Sequence, residues 1–374
     1  MSRFLHLVAG ETKKIWRQKA AVVLLIIFLA LNAILAALLI FSDVDMKSAI
    51  LEGFGSDFSL QTHAQKYSEE NEQMPYYITY DEHGNIQYNY YTDYYRPQPI
   101  SAEERINSYK EQLNDPEISN IEKNFIMMQI DSLEKSAAID NYISENNVSF
   151  KEDVSNSAYY LQFSMSVMCT IAIIGTLIIG AGTVAGEASD GTMKLLLTRP
   201  FKRWKILTSK FVAALLYGLF MYVLGFIFSF VIGGLLFGFD GFGLNIIASF
   251  GKGSAFSIGI IPYTLLKFAL SFTQIIMLLS MVFLISCLFK SRALAVGISM
   301  LIYFVGSGIV KLLAILGIDI LKYVIFFNMD LSPFLTALPS YPGMTILQSA
   351  ITAAVHFVVF MAASYALFIK RDVH

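Results

Sequence analysis

The chain has 374 residues with a mean hydropathy of +0.57, and only 15% of its residues are charged. Because soluble domains average about 25% charged residues, this composition excludes a soluble globular protein and indicates an integral membrane protein. The net charge of −2 hides a segregation, since residues 43–153 hold 22 acidic and 8 basic residues whereas the remainder holds 7 and 19. Lys/Arg-rich loops stay in the cytoplasm, so the acidic region is expected outside.

The N-terminal region combines basic and apolar residues before a long apolar run. Residues 1–19 carry five Lys/Arg together with Trp16, a mixture typical of a helix that lies in the membrane interface. The run at 20–41 has 22 residues, which exceeds the ~7–15 residues of a signal-peptide core and suffices to cross a ~30 Å hydrocarbon layer. We therefore expect a retained first span with a cytoplasmic N-terminus.

The acidic region between the first two spans has the signals of a folded α+β domain. Tyrosine-rich segments at 76–80 and 86–91 flank a turn-like segment and predict a β-hairpin, in which packing is the expected use of the eight tyrosines between Tyr76 and Tyr95. Ser101 opens a capping box that predicts a helix to about Leu113. Asp115-Pro116 predicts the start of a second helix, with Asp as the cap and Pro at the first position.

The second half of the chain alternates apolar runs with short polar connections. The connections between the predicted spans include a Gly-rich outer loop at 239–257. A segment at 312–346 is apolar but broken by Gly317, Asp319, Asn328, Pro333, Pro339 and Pro342. Non-helical backbone at membrane depth persists only when it is buried in protein or faces a cavity, so this re-entrant segment is expected against partner helices. The further spans are predicted at 159–185, 206–239, 258–289, 293–310 and 347–369.

The polar stretch from Gly186 to Lys210, between two of these spans, carries six Lys/Arg. Asp190 is suited to cap a short helix, or Gly191 to act as a hinge before it. Pro200 ends that helix, because it lacks an N–H and forces the preceding residue out of the α region. An ordinary positive-inside loop would carry the same charges.

The order of residues in this stretch resembles the cytoplasmic loop of type-2 exporter permeases of the ATP-binding cassette (ABC) superfamily. Lys194 departs from the acidic residue that relatives often carry. The resemblance implies a coupling helix that docks on a separate ATPase, with Glu187 pairing with Arg199, Arg203 or a basic residue of the ATPase. The matching residues are Glu187, Gly191, Thr192, Leu195, Leu196, Pro200, Arg203 and Lys210. The residues that it implies for coupling are Glu187, Gly191, Thr192, Leu195, Leu196, Arg199, Pro200 and Arg203.

The resemblance also implies the partners and the cargo. A permease of this kind pairs with a second, identical or homologous half, and ATP and Mg are bound by the two partner ATPases. The expected cargo is hydrophobic or amphipathic, such as a peptide, an antibiotic or a lipid-like molecule, and it is exported. No cofactor is expected in this chain, and no nucleic-acid partner.

Several kinds of chemistry find no support in the sequence. No stretch matches the phosphate-binding loop G-x-x-x-x-G-K-[ST], and Gly251-Lys252-Gly253-Ser254 lacks its spacing. No catalytic signature is visible, so an enzyme is not expected, and Cys169 and Cys287 lie in apolar runs where they form no disulfide framework or zinc site. Lys267 is expected to reach the outer headgroups, and the spans hold no carboxylate, which disfavours proton or ion coupling.

The resulting fold prediction is an all-α polytopic protein of a bacterial cell membrane, with six spans and both termini in the cytoplasm. An α+β extracytoplasmic domain at 42–157 separates the first span from a five-span domain at 158–374, which contains the coupling loop 186–205. The competing hypotheses are a membrane-anchored sensor whose outer domain binds a ligand, a sodium or ion efflux permease of the same family and, more remotely, an intramembrane enzyme.

The orientation is tested by cysteine labelling of intact cells. An impermeant maleimide should modify a Ser101→Cys variant and leave a Ser189→Cys variant unmodified, because the acidic domain faces outward and the basic loop inward. Both variants should react after lysis, which controls for accessibility. Labelling of Ser189→Cys in intact cells would overturn the orientation.

Overall fold

The computed structural model describes residues 2–41, 76–80, 86–90, 102–146, 156–192, 201–250, 255–336, 339 and 341–370. The protein is mostly helical in these ranges, with two small antiparallel sheets of two strands each.

Within the described ranges, five helices are long and apolar enough to cross a membrane. The predicted fifth span corresponds to α8 (Arg292–Ile315), whose described apolar part, Arg292–Gly306, is shorter. Five of the six predicted spans are therefore confirmed as apolar helices of spanning length, and the count of six stays a prediction. The five are α2 (Lys19–Phe41), α5 (Asn156–Ser189), α6 (Arg203–Phe237), α7 (Ile260–Leu288) and α11 (Ile346–Lys370).

Helix α5 is the centre of the bundle. It is the most deeply buried of the five long helices, and it contacts α2, α6, α7 and α8. Small residues permit this close packing: a Cβ atom at Gly180 would lie 2.4 Å from Cδ1 of Leu279 on α7, and one at Gly218 on α6 would lie 2.7 Å from Oγ1 of Thr176. Small residues at helix contacts are what membrane bundles use to bring backbones together.

A buried hydrogen-bond network joins α2, α5 and α6 inside this bundle. Asn32 Nδ2 donates to Ser164 Oγ at 3.1 Å and to Ser229 Oγ at 3.3 Å, and the two serine oxygens are 2.8 Å apart. The Tyr160 hydroxyl donates to Asn32 Oδ1 at 2.9 Å. All four residues are fully buried, so each polar group depends on the others for its hydrogen bonds.

The region before α5 contains the predicted hairpin and two helices. Strands β1 (Tyr76–Tyr80) and β2 (Ile86–Tyr90) pair antiparallel, as predicted. Helix α3 (Ala102–Gln112) is present where a helix was predicted, although its predicted cap, Ser101, lies outside the described residues. Helix α4 (Asn120–Glu145) packs against it through Ile126 and Ile130.

The predicted start of the second helix at Asp115-Pro116 is wrong. Asp115 instead accepts a hydrogen bond from the Glu117 backbone N–H at 2.9 Å and forms a turn. The helix begins at Asn120, because Ser119 and Glu122 form a complete capping box there: Glu122 N donates to Ser119 Oγ at 3.2 Å, and Ser119 N donates to Glu122 Oε2 at 3.0 Å. A reciprocal cap satisfies two of the helix's free N–H groups, and this outweighs the Asp-Pro signal.

One face of α4 docks on the membrane domain through three buried polar side chains. Lys135 Nζ donates to the Leu335 carbonyl at 3.2 Å, and Asp131 Oδ2 accepts from the Gly343 N–H at 3.2 Å. Asn124 Nδ2 donates to the carbonyl of Ala314 at the end of α8. The inserted helices are thus attached to the C-terminal third of the chain.

The outer loop predicted at 239–257 contains a 3₁₀ turn and a β-hairpin, which its glycine content did not suggest. A 3₁₀ turn (Asp240–Gly243) leads into β3 (Asn245–Ser249), which pairs antiparallel with β4 (Ala255–Gly259). The prediction of a plain loop is wrong because Ile246, Ile247 and Ala248 are buried, and this burial holds the hairpin on the bundle.

The segment predicted to be re-entrant is broken into short pieces, as its Gly and Pro content indicates. A 3₁₀ turn (Asp319–Tyr323) is followed by the single-turn helices α9 (Ile325–Asn328) and α10 (Pro333–Thr336). Phe327, Phe334 and Tyr341 are buried in one cluster, which places this irregular backbone against other helices.

The hydrogen-bond network around Asn32 is expected to stabilise the folded protein. Asn32→Leu leaves the Tyr160 hydroxyl without its side-chain acceptor and removes the donor to both serines, at a cost of about 1–3 kcal/mol for each buried group left unpaired. The variant in detergent should unfold at a lower temperature than the wild-type protein. Ala33→Leu, on the exposed side of the same helix, is the control, and equal melting of the two variants would show that the network contributes nothing.

Candidate functional site

Helix α1 (Ser2–Trp16) packs on the bundle at the end where the basic residues lie. Leu7, Val8 and Ile15 are buried on its inner face, whereas Leu5 is exposed. The Trp16 ring contacts those of Tyr217 and Phe220 on α6, with centroid distances of 5.4 and 4.8 Å. The predicted amphipathic helix is therefore present, and one stripe of it faces protein.

Four charged residues from α1, α5 and α6 meet beneath this helix, and we call them the ionic cluster: Glu11, Lys14, Glu187 and Lys210. Lys210 Nζ lies 2.9 Å from Glu11 Oε2 and 2.8 Å from Glu187 Oε1, and Lys14 Nζ also contacts Glu187 Oε1. Only 1% of the Lys210 side chain is exposed, and 7% and 9% of the two glutamates, whereas Lys14 is 53% exposed.

The charges of the ionic cluster balance, with two carboxylates and two ammonium groups. Such balance is required, because an unpaired charge away from water costs several kcal/mol. Glu187 Oε2, however, is buried and has no hydrogen-bond partner among the residues that the structure describes. This oxygen is therefore able to accept a further hydrogen bond. It lies five residues before Thr192, where the described range ends.

Of the remaining residues implied for coupling, three are described and four lie outside the described range. Gly191 has φ +70°, a left-handed conformation suited to the hinge expected there. Thr192 Oγ1 donates to the Glu187 carbonyl at 3.4 Å. Arg203 Nη1 donates to the Ile369 carbonyl at 2.6 Å and so links the start of α6 to the end of α11. The residues outside the described range are Leu195, Leu196, Arg199 and Pro200.

The partners found for Glu187 were not foreseen. The sequence-based expectation named Arg199, Arg203 or a residue of another protein, whereas the structure gives Glu187 two lysines, Lys14 and Lys210. A signal was present: Glu11 is the one acidic residue among the first nineteen, on a helix that is otherwise basic. A lone carboxylate on the buried stripe of a basic helix needs a cation from another element.

A second group of polar side chains lies in the membrane domain, around Lys267. Lys267 Nζ donates to Gln162 Oε1 on α5 at 3.4 Å. Its charge interacts with that of Asp330, which lies between α9 and α10 and accepts the Ser332 N–H at 2.9 Å. The membrane domain therefore contains a half-buried carboxylate, which lies in the broken segment at 312–346 and outside the predicted spans.

Comparison with known proteins identifies a matching family and two similar bacterial proteins. A family model described as "Protein of unknown function (DUF2705)" matches residues 125–374. The uncharacterized protein YhcI of Bacillus subtilis is 29% identical over 244 residues, which are 65% of this chain and 77% of that protein. The uncharacterized membrane protein YdbK of the same bacterium is 28% identical over 217 residues, which are 57% and 82%. The name of YdbK agrees with the five apolar helices, and the chain is a membrane protein.

Because Lys210 is buried between two carboxylates, its removal is expected to destabilise the protein. Lys210→Met leaves two buried carboxylates with only the half-exposed Lys14, and breaking a buried pair in this way costs about 3–5 kcal/mol. We expect a clear fall in the unfolding temperature in detergent. Lys202→Met, at an exposed position in the same basic stretch, should melt like the wild-type protein. If the two variants melt alike, the cluster does not stabilise the fold.

Proposed function

We propose that this chain, which belongs to the DUF2705 family of proteins of unknown function, is the transmembrane permease subunit of an ABC exporter. It would pair with a second permease half and with two cytoplasmic ATPase subunits. The observation that carries the proposal is the ionic cluster, which fastens the helix turn before the loop at 193–200 to α1 and α6.

The position of Glu187 supports a mechanical role for that loop. Glu187 lies in the last turn of α5, the helix at the centre of the bundle. The ion pairs join this turn to the first third of α6, so the two helices that flank the loop are cross-linked near the point where it begins and ends. A force applied to the loop by a partner would then move α5 and α6 together with α1, rather than bend one helix end.

The chemistry is divided between the chains. The sequence contains no phosphate-binding loop, so ATP hydrolysis belongs to the partner ATPase, which binds ATP and Mg. This chain supplies the path and the coupling loop. A membrane domain rich in apolar side chains favours a hydrophobic or amphipathic cargo such as a peptide, an antibiotic or a lipid-like molecule.

A sodium or ion efflux permease is the second candidate, and Asp330 favours it. A carboxylate in the membrane domain is a functional candidate by default, and this one interacts with the charge of Lys267, which is hydrogen-bonded to Gln162 of α5. Asp330→Asn discriminates the two cargoes: it should abolish sodium resistance conferred on a sensitive host if the ion is the cargo, and leave export of an amphipathic molecule intact.

Coupling to an ATPase is tested with two variants that should fail differently. Leu196→Asp places a charge on the predicted docking helix and should reduce the ATPase that copurifies with the permease at least tenfold, because burying an unpaired charge at an interface costs about 2–5 kcal/mol. Glu187→Ala loosens the ionic cluster instead. It should retain the ATPase but lose most of the substrate-stimulated ATP hydrolysis.

Lys202→Met serves as the control for the positive charge of the loop region, and gel filtration of every variant checks folding. The proposal is wrong if both variants retain as much ATPase as the wild-type protein and show the same substrate-stimulated ATP hydrolysis. Copurification of a histidine kinase in place of an ATPase would favour the sensor hypothesis.

A further inference from the structure

An open groove of about 700 Å³ lies on the inserted domain, between α3, the connection to α4, α4 itself and the end of α8. Most of its walls are apolar. They include Ile118 from the connection, Ile121, Phe125 and Met128 from α4, and Ile315 from α8. This volume is within the range of about 300–1,000 Å³ that is typical of sites for small molecules.

The apolar wall is a separate face of α4 that no packing within the described ranges explains. Ile121, Phe125 and Met128 follow one another at helical spacing, and the first two are 49% and 62% exposed. The other faces of α4 have partners: Ile126 and Ile130 pack toward α3, and the polar side chains dock on the membrane domain. A contiguous exposed apolar face beside a cavity marks a binding surface.

The rim of the groove is acidic. Asp115 and Glu117 lie on the connection and Glu122 on the first turn of α4, and the described lining contains no Lys or Arg. Hydrogen bonds from Ser119 hold the pKa of the Glu122 carboxyl below its ordinary value, so this group stays charged at neutral pH. Over residues 102–146 there are ten acidic and four basic residues, and the surrounding field is therefore negative as well.

Asn124, which also lines the groove, has an unused hydrogen-bond acceptor. Its amide nitrogen faces the Ala314 carbonyl, because only that end of the amide is able to donate. The side chain is 1% exposed, and its Oδ1 atom has no hydrogen-bond partner among the described residues. A buried acceptor without a partner is costly, and an N–H group of a bound molecule would satisfy it.

We propose that this groove binds a small amphiphilic cation, with its apolar body against Ile121 and Phe125 and its amine at the carboxylates of Asp115, Glu117 and Glu122. The combination of features selects this class. An apolar wall alone would accept any lipid-like molecule, but three carboxylates repel anionic amphiphiles and favour an ammonium group. The inference goes beyond the proposed function, because binding requires neither the ATPase subunits nor transport.

The test measures binding of dansylcadaverine, an environment-sensitive naphthalene sulfonamide that ends in a primary amine, to the full chain in phosphatidylcholine nanodiscs. Empty nanodiscs provide the background for partition into lipid. The matched probes are dansyl butylamide, which lacks the amine, and dansyl aminocaproic acid, which carries a carboxylate instead. We expect saturable binding of the amine probe, weaker binding of the neutral probe and none of the anionic probe.

Variants of the groove separate its two components. Phe125→Ala should weaken binding about tenfold, since it removes most of the apolar contact at one wall. The double variant Asp115→Asn/Glu117→Gln should weaken it about threefold or more and reduce its dependence on salt. Glu145→Gln, an exposed carboxylate at the far end of α4, removes a charge without touching the groove and should bind like the wild-type protein.

Three outcomes would overturn the proposal. One is equal binding by the wild-type protein and both groove variants, with their unfolding temperatures unchanged. Another is equal binding of the cationic and anionic probes. The third is disulfide formation between two copies of a Phe125→Cys variant at full yield, because the groove would then be an interface between copies of the chain.

Discussion

A lysine that is almost completely buried has to keep its charge compensated, and Lys210 imposes this requirement on three helices at once. Glu11 of α1 and Glu187 of α5 both pair with it, so α1 and α5 are both held at fixed positions along α6. Each ion pair alone would gain little after the cost of desolvation. Their value is positional: shifting any one of the three helices by a turn would leave a buried charge without its partner.

The apolar architecture was predictable because it follows from length and hydropathy. Runs of about twenty apolar residues have few alternatives to a membrane helix, and the part of the chain that the structure describes contains five such helices, with ends close to the expected ones. The starts of helices were less predictable from the residues around them. Asp115-Pro116 predicts a helix start, but the helix begins after Ser119, where the capping box with Glu122 is complete. The β3–β4 hairpin was missed because glycines flank it, while burial against the bundle, which is invisible in one sequence, decides its structure.

The candidate site was predicted in part, for a related reason. Glu187 stood out through its motif, but its lysine partners lie 173 and 23 residues away in the chain, and sequence spacing carries no information about such contacts. The family match begins at residue 125, so α1 with Glu11 and Lys14 lies outside it. In the sequence, the contribution of α1 to the cluster is indicated only by a single glutamate, Glu11, in a basic amphipathic segment.

The attachment of α4 to the C-terminal third of the chain has a consequence for biosynthesis. Lys135 and Asp131 are made well before Leu335 and Gly343, and roughly two hundred residues separate each side chain from its backbone partner. While the ribosome is still producing α6 and α7, neither docking bond exists. The inserted domain is held at both ends by α2 and α5, which are made earlier. It forms these two bonds only after the segment that contains Leu335 and Gly343 has been synthesised. Its attachment is a late step of assembly, and a chain that stalls or is truncated before residue 335 lacks both bonds.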